Sequence, residues 1–319
     1  MSSNVWLVVP CYNEQEVLNT TAAALKDKLG EMICDGLAES CSRILFVDDG
    51  SADKTWDIIS ALSAENEMFI GLKLSRNRGH QNALLAGLMY SKGKCDCAIS
   101  LDADLQDDIS VLPEFVKKYQ EGCEVVYGVR NSRKTDTFFK RSTALMFYKL
   151  MNWLGTKTVY NHADYRLMGS RALNELAEFK EVNLFLRGIV PLVGFRSDYV
   201  YYERQERAAG VSKYPLKKMI SFAFEGITSF SVKPLKLISW LGGLFSFVSV
   251  AGIIYALISF FTGNAVPGWT AMICAVFLIG GIQLLCIGVL GEYIGKIYSE
   301  VKNRPRYIID EISEHKKNK

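Results

Sequence analysis

No Gly-x-Gly-x-x-Gly follows the first apolar segment of this 319-residue chain, which excludes the usual dinucleotide-binding turn of a dehydrogenase. Charge excess is also missing. A formal net charge of +3 is too small to argue for a nucleic-acid partner. The eight cysteines, at positions 11, 34, 41, 95, 97, 123, 274 and 286, lack paired metal-ligand spacing. They read as reduced packing thiols in a cytoplasmic setting. Internal repeats and low-complexity segments are absent as well, so solenoid and fibrous architectures drop out. No signal peptide is expected, because Met1-Ser-Ser-Asn4 leads straight into an apolar strand.

What the chain does contain is unevenly distributed. Residues 1–215 have mixed, soluble composition, whereas Leu237–Phe261 and Trp269–Gly291 are long apolar runs with no charged residue. A bilayer-spanning helix needs about 20 apolar residues, so two spans are expected, joined by the short turn Thr262–Gly268. Lys213, Lys217, Lys218, Lys233 and Lys236 precede the first run; Lys296, Lys302, Arg304 and Arg306 follow the second. Positive flanks place both ends on the cytoplasmic side and favour anionic lipid head groups. The expected organisation is a catalytic domain over 1–215 and a juxtamembrane amphipathic segment over 216–234. Two spans within 235–295 follow, and then a cytoplasmic tail over 296–319, mobile beyond Glu311. Gly242-Gly243 and Gly280-Gly281 leave close helix contact, and with it a homo-oligomer, open.

Within the first 130 residues, short apolar strands alternate with helical patterns. Strands are expected at Val5–Val9, Arg43–Val47, Ile70–Leu74, Cys97–Leu101 and Val125–Gly128. Helices are expected through Leu29, over Ala52–Asn66, Asn82–Lys92, Val111–Glu121 and Lys140–Gly155. That alternation predicts an α/β domain on a mostly parallel, Rossmann-like sheet. Ligands in such sheets gather at the carboxyl ends of strands. Three polar clusters fall there: Tyr12–Glu14, Asp48–Ser51 and Asp102–Asp107. In Asp102-Ala-Asp104, side chains two residues apart point the same way and form a pair of hard oxygen ligands suited to Mg²⁺ or Mn²⁺. An acidic surface turn is the alternative.

Several motifs occur in order. They are Val9-Pro-Cys-Tyr-Asn-Glu14, Val47-Asp-Asp-Gly-Ser51, Leu74-Ser-Arg-Asn-Arg-Gly-His80 and Leu101-Asp-Ala-Asp-Leu-Gln-Asp107. Together they resemble the GT-A glycosyltransferases of family 2. Asp164-Tyr-Arg-Leu-Met168 and Glu206-Arg-Ala-Ala-Gly-Val-Ser-Lys-Tyr214 look like the polyprenyl-phosphate branch, which includes bactoprenol glucosyltransferases and dolichol-phosphate mannose synthases. Leu290-Gly-Glu-Tyr-Ile-Gly-Lys-Ile-Tyr298 and Arg304-Pro-Arg-Tyr307 are similar to bacterial members with two membrane helices. One departure is Asp107-Asp-Ile-Ser110, where that branch commonly shows Asp-Pro-Pro-Glu.

The resemblance implies a nucleotide-diphosphate sugar donor and a polyprenyl (undecaprenyl) phosphate acceptor at the inner membrane. UDP-glucose is the expected donor. GDP-mannose, UDP-galactose, a UDP-N-acetylhexosamine and UDP-formylaminoarabinose are the alternatives. Asp102, Asp104 and Gln106 would hold Mg²⁺ or Mn²⁺ against the diphosphate; Pro10, Tyr12, Glu14, Asp48 and Asp49 would line the nucleotide site. Loop capping is the other reading of these acids. Arg130, Arg133, Arg207, Ser212 and Lys213 would receive the acceptor phosphate, with Arg133 also readable as solvated charge. Asp104 and Asp164 are the expected catalytic residues. Asp164 aligns with a family acid and would act as a base or orient the acceptor, with pairing to Arg166 that holds its loop together as the other reading; His80 and His162 are site neighbours. Two rivals differ in function. A processive polysaccharide synthase needs an Arg-Trp pair, which is absent. A noncatalytic lipid-binding subunit would not need Asp102, Asp104, Arg207 and Lys213.

Overall fold

The computed structural model describes residues 2–130, 162–181, 186–203, 233–262 and 268–315. The expected helix over 140–155 and the expected juxtamembrane segment up to residue 232 lie outside them, as do Arg133, Arg207, Ser212 and Lys213. Two compact units result. One holds the N-terminal part together with the segment from Arg304 on, and the other holds the long helices up to Asn303.

The first unit is built on an eight-stranded sheet. Its strands are β1 (Val5–Cys11), β2 (Arg43–Asp48), β3 (Phe69–Leu74), β4 (Cys97–Ser100), β5 (Val125–Arg130), β6 (His162–Gly169), β7 (Ser197–Tyr202) and β8 (Ile309–Glu314). Their spatial order is β7-β5-β6-β4-β1-β2-β3-β8. β4, β1, β2 and β3 run parallel, and β1 is buried along its whole length. Burial on both faces explains why these strands read as unbroken apolar runs rather than alternating ones. β6 enters antiparallel between β4 and β5, setting Ser100 beside Arg166.

Helices cover the sheet because their apolar residues recur at helical spacing. α1 (Leu18–Cys34) buries Leu18, Thr21, Ala22, Leu25, Leu29 and Met32, a stripe along one face. α2 (Thr55–Glu65) lies on β3, and α3 (His80–Ser91) lies on β1 and β2. Gly87 lets α3 settle closely, since a Cβ there would collide with Val8 and Val47. α4 (Leu112–Gln120) starts with Pro113 in its first turn, where a missing N–H costs nothing, and buries Leu112, Phe115 and Val116. α5 (Ser170–Glu178) and the single-turn α6 (Leu186–Ile189) follow β6.

Three elements depart from the sequence expectation. β6 was hidden because Arg166, only 1% exposed, interrupts its apolar pattern. β7 alternates weakly, with Val200 and Tyr202 buried and Tyr199 and Tyr201 exposed. The tail beyond Glu311, expected to be mobile, instead belongs to β8, which pairs antiparallel with β3 from Leu74↔Ile309 to Ile70↔Glu314. Trp56 Nε1 donates to Glu311 at 3.1 Å, and the Ser63 and Ser313 hydroxyls meet at 2.6 Å. An edge strand with backbone pairing and these side-chain contacts has no reason to fray.

In the second unit, α7 (Lys233–Phe261) and α8 (Trp269–Lys302) pack on one another. Both expected apolar runs are therefore helical. α8 continues past Gly291 because no proline intervenes before Asn303, whose φ of 43° is left-handed and ends it. Among the described residues one stretch, Leu278–Lys302, is long and apolar enough to cross a membrane, and none of its apolar window is buried by protein. Trp240, Phe247, Tyr255, Met272, Leu284 and Ile287 all stand exposed on the pair.

Candidate active site

The carboxyl ends of the parallel strands are laced together before any ligand is considered. Asn13, at φ 54°, donates its N–H to Ser51 Oγ at 3.0 Å, and its side chain accepts from Ala52 N at 2.9 Å. Glu14 N donates to Thr55 Oγ1 at 2.9 Å. Gly50 has φ +66°, and a Cβ on it would lie 2.6 Å from the Arg76 carbonyl carbon and 2.7 Å from Asn77 N. Only glycine lets the loops after β2 and β3 approach this closely.

Asp48 and Asp49 are both buried and serve this lacing. Asp48 accepts from Ser51 N at 3.3 Å; Asp49 accepts from Arg78 N at 2.7 Å and Gly79 N at 2.8 Å. Burial raises both carboxyl groups above the ordinary value, and the amide hydrogen bonds pull them partly back. Their geometry in this structure is that of loop-capping acids. Pro10 is buried in β1, Tyr12 is exposed at the rim, and Glu14 is half-buried.

Asp102 and Asp104 stand on the turn after β4. Thr21 Oγ1 donates to the Ala103 carbonyl at 2.7 Å, pinning the turn to α1. Leu105, at φ 52°, reverses the chain so that Gln106 N donates to Asp104 Oδ1 at 3.2 Å. Partial burial and the charges of Asp107, Asp164 and Asp104 push Asp102 up to about 6, against the pull of His80. Burial is the largest of these causes, and the three neighbouring carboxylates add to it.

Around this turn lie residues from far along the chain. His80, first in α3, places Nε2 3.7 Å from both Asp102 Oδ1 and Asp164 Oδ2. Burial lowers its basicity, but the nearby charges of Asp164 and Asp102 raise it more. Asp164, on β6, accepts from Arg166 at 2.6 Å and from Arg187 at 3.2 and 3.1 Å. Burial alone would raise it; His80, Arg187 and Arg166 together hold it well below the carboxylate range. On the other side, Asp107 accepts from the Tyr202 hydroxyl at 2.5 Å, and Arg130 Nε donates to that hydroxyl at 3.1 Å.

The structure thus brings Asp102, Asp104, Gln106, Asp164, His80 and Arg130 to one edge of the sheet. Arg187 and Tyr202 were not anticipated from sequence. Neither lies in a motif, and only the return of α6 and β7 to this edge reveals them. Among the described residues no cluster of three His, Cys, Asp or Glu side chains could hold a metal by itself. Asp102 and Asp104, two carboxylates on one turn with Gln106 after them, are nevertheless oxygen donors of the kind a hard divalent cation takes. Mg²⁺ commonly takes one or two carboxylates and completes its shell with substrate phosphates and water.

A parallel α/β sheet with an Asp-x-Asp turn at its carboxyl edge is the GT-A-like arrangement of a glycosyltransferase. The glycosyl transferase family 2 profile matches residues 6–177, and the GtrB C-terminal hairpin profile matches 233–297. An uncharacterized glycosyltransferase, YkoT, from Bacillus subtilis (strain 168) is 57% identical, covering 95% of this chain and 90% of its own. A prophage-derived bactoprenol glucosyl transferase from Shigella flexneri is 41% identical over 95% of this chain and 96% of its own. A prophage bactoprenol glucosyl transferase homolog from Escherichia coli (strain K12) is 39% identical, over 96% and 98%. The chain belongs to glycosyl transferase family 2 and is a glycosyltransferase.

Proposed function

We propose that this enzyme transfers a hexose, with UDP-glucose as the donor, to undecaprenyl phosphate at the cytoplasmic membrane face. Residues 1–215 would be the catalytic domain and 235–295 its two-span anchor. The product would be a lipid-linked sugar for modifying cell-envelope glycans. One observation carries this reading. The loop that bears the acid pair Asp102 and Asp104 also bears Asp107, which lies 3.6 Å from Arg130. The acid pair for a cation and the β5 arginine for a phosphate are therefore tied together through one loop carboxylate. The bactoprenol glucosyl transferase relatives, matched along nearly their whole length, supply the acceptor class.

A divalent ion held by Asp102, Asp104 and Gln106 would offset the charge building on the departing nucleotide diphosphate. The acceptor needs little activation. A phosphate monoester has its second pKa at about 6 and is largely dianionic at neutral pH. Its oxygen attacks the sugar C1 as the bond from C1 to the diphosphate oxygen breaks, inverting the anomeric centre. Arg130, with Arg133, Arg207, Ser212 and Lys213, would dilute the repulsion between acceptor and donor. Asp164, clamped by two guanidinium groups, suits holding the site in register better than taking a proton.

The test is direct. Purified full-length protein in lipid or detergent is incubated with labelled nucleotide sugars, undecaprenyl phosphate and Mg²⁺ or Mn²⁺. An organic-extractable labelled glycolipid, greatest with UDP-glucose, is expected. No glycolipid with any common donor would reject the acceptor assignment, and preference for another donor would replace the sugar.

A further inference from the structure

Arg130 does not reach the site edge unsupported. Its Nε–H donates to the Tyr202 hydroxyl at 3.1 Å, and that hydroxyl donates to Asp107 Oδ1 at 2.5 Å. The Arg130 terminal nitrogen lies 3.6 Å from the same carboxylate oxygen. The three side chains differ in exposure: Asp107 is 1% exposed and Arg130 25%, while Tyr202 is 2% exposed. Two of the three are thus sealed in protein, and the guanidinium alone reaches the surface. The other Asp107 oxygen, Oδ2, is buried with no hydrogen-bond partner among the described residues. A buried carboxylate with one oxygen unsatisfied depends on what its other oxygen receives.

Tyr202 is itself firmly placed. Its ring meets Tyr165 edge-on, with centroids 5.2 Å apart at 83°, and β7 pairs Tyr202 directly with Arg130 on β5. Tyr165 in turn donates its hydroxyl to the Asp108 carbonyl at 3.0 Å. Asp107 and Asp108 follow Gln106 directly in the acid-bearing loop. The two tyrosines therefore fasten that loop to β6 and β7.

We infer that Tyr202 and Asp107 are positioning residues that aim Arg130 at the acceptor phosphate and keep it in register with the acid pair. This deepens the proposed function and rests on its assignment of Arg130 to the acceptor. A free arginine samples many rotamers, and fixing one costs side-chain entropy. The relay meets that cost in the folded protein, before the lipid arrives. A guanidinium fixed by Nε and one terminal nitrogen presents a constant face to an anion.

Steady-state kinetics of the full-length enzyme in nanodiscs separate the possibilities, using Arg130→Gln, Tyr202→Phe and the double variant. Tyr202→Phe keeps the ring and its packing on Tyr165 but leaves buried Asp107 without its hydroxyl donor, so the thermal midpoint should fall, and the kinetics are read well below it. The expected result is a rise of about tenfold in KM for undecaprenyl phosphate, with KM for the sugar nucleotide unchanged. The double variant should resemble Arg130→Gln alone, because the hydroxyl acts through the guanidinium. If Arg130→Gln raises the lipid KM but Tyr202→Phe does not, the positioning role is overturned and the acceptor assignment stands. If Arg130→Gln leaves the lipid KM unchanged, the acceptor assignment itself fails. Equal rises in both KM values for Tyr202→Phe would mark a general structural role and also overturn the inference.

Discussion

Arg187 clasps Asp164 through two hydrogen bonds, Nε to Oδ1 at 3.2 Å and a terminal nitrogen to Oδ2 at 3.1 Å. Arg166 adds a third at 2.6 Å. A carboxylate so engaged is held in its ionised form well below the usual range, which suits an anchor and not a proton acceptor near neutrality. General bases contribute about 10²–10⁴-fold to rate. Asp164→Asn is expected to lower kcat by less than about 10²-fold, leaving the kcat/KM profile between pH 6 and 8 unchanged in shape. A larger loss, with an acidic limb abolished, would restore Asp164 as the base.

The same clasp predicts acid sensitivity. Because the folded pKa of Asp164 is depressed, its contribution to stability is complete above the unfolded value of about 4. It is lost as pH falls below that toward the folded value. Thermal unfolding of the parent should therefore fall more steeply below about pH 4 than that of Asp164→Asn. Parallel curves would show that the clasp adds nothing to stability.

Asp104→Ala should leave folding intact and cut turnover by about 10²–10³-fold, the scale of losing a preorganised electrostatic contact. Chelation of the parent with EDTA should abolish transfer, and added Mg²⁺ or Mn²⁺ should restore it. Calorimetric titration of Mn²⁺ with UDP present gives an activity-independent readout, which should weaken in the variant. Full activity in Asp104→Ala would remove that residue from the metal set.

Gly50→Ala places a Cβ against the Arg76–Asn77 backbone at a φ of +66°. The left-handed penalty alone is about 1–2 kcal/mol, and the collision adds to it. A lowered midpoint in denaturant unfolding and a weaker KM for the sugar nucleotide are expected together, since the loops after β2 and β3 are locked there. An unchanged midpoint would show that the loops relax freely.

Removing residues from Ile309 on would bare the β3 edge and strip the partners of Trp56 and Ser63. Exposed strand edges invite pairing between chains. The shortened protein should melt at lower temperature and aggregate sooner, followed by light scattering. Unchanged melting and scattering would make β8 dispensable.

Much of the fold was legible along the chain wherever burial is symmetrical. β1, β2, β3, β4 and β5 read as apolar runs because both faces are covered, and the helices between them announce themselves by spacing. Asp102 and Asp104 were legible because both sit in one short motif at a strand end. β6, β7 and β8 were not. Arg166 is buried beside Asp164, which it bonds, Tyr202 is buried and bonds Asp107, and the exposed Glu311 and Glu314 reach Trp56 and Tyr90. Except for Arg166, whose carboxylate partner is two residues away on the same strand, each of these polar side chains is satisfied by a partner far off in sequence.

Sequence alone determined the alternating α/β order, the acid turn after β4 and the two long apolar helices, since each depends on residues close together in the chain. Only the tertiary structure decided what the acids do. Asp49 is turned to the Arg78–Gly79 amides, Asp164 to Arg187, and Asp107 to Tyr202 and Arg130. The physical reason is that a carboxylate's charge state and work are set by the donors and charges packed around it. Those arrive from strands and helices that only folding brings to the same edge.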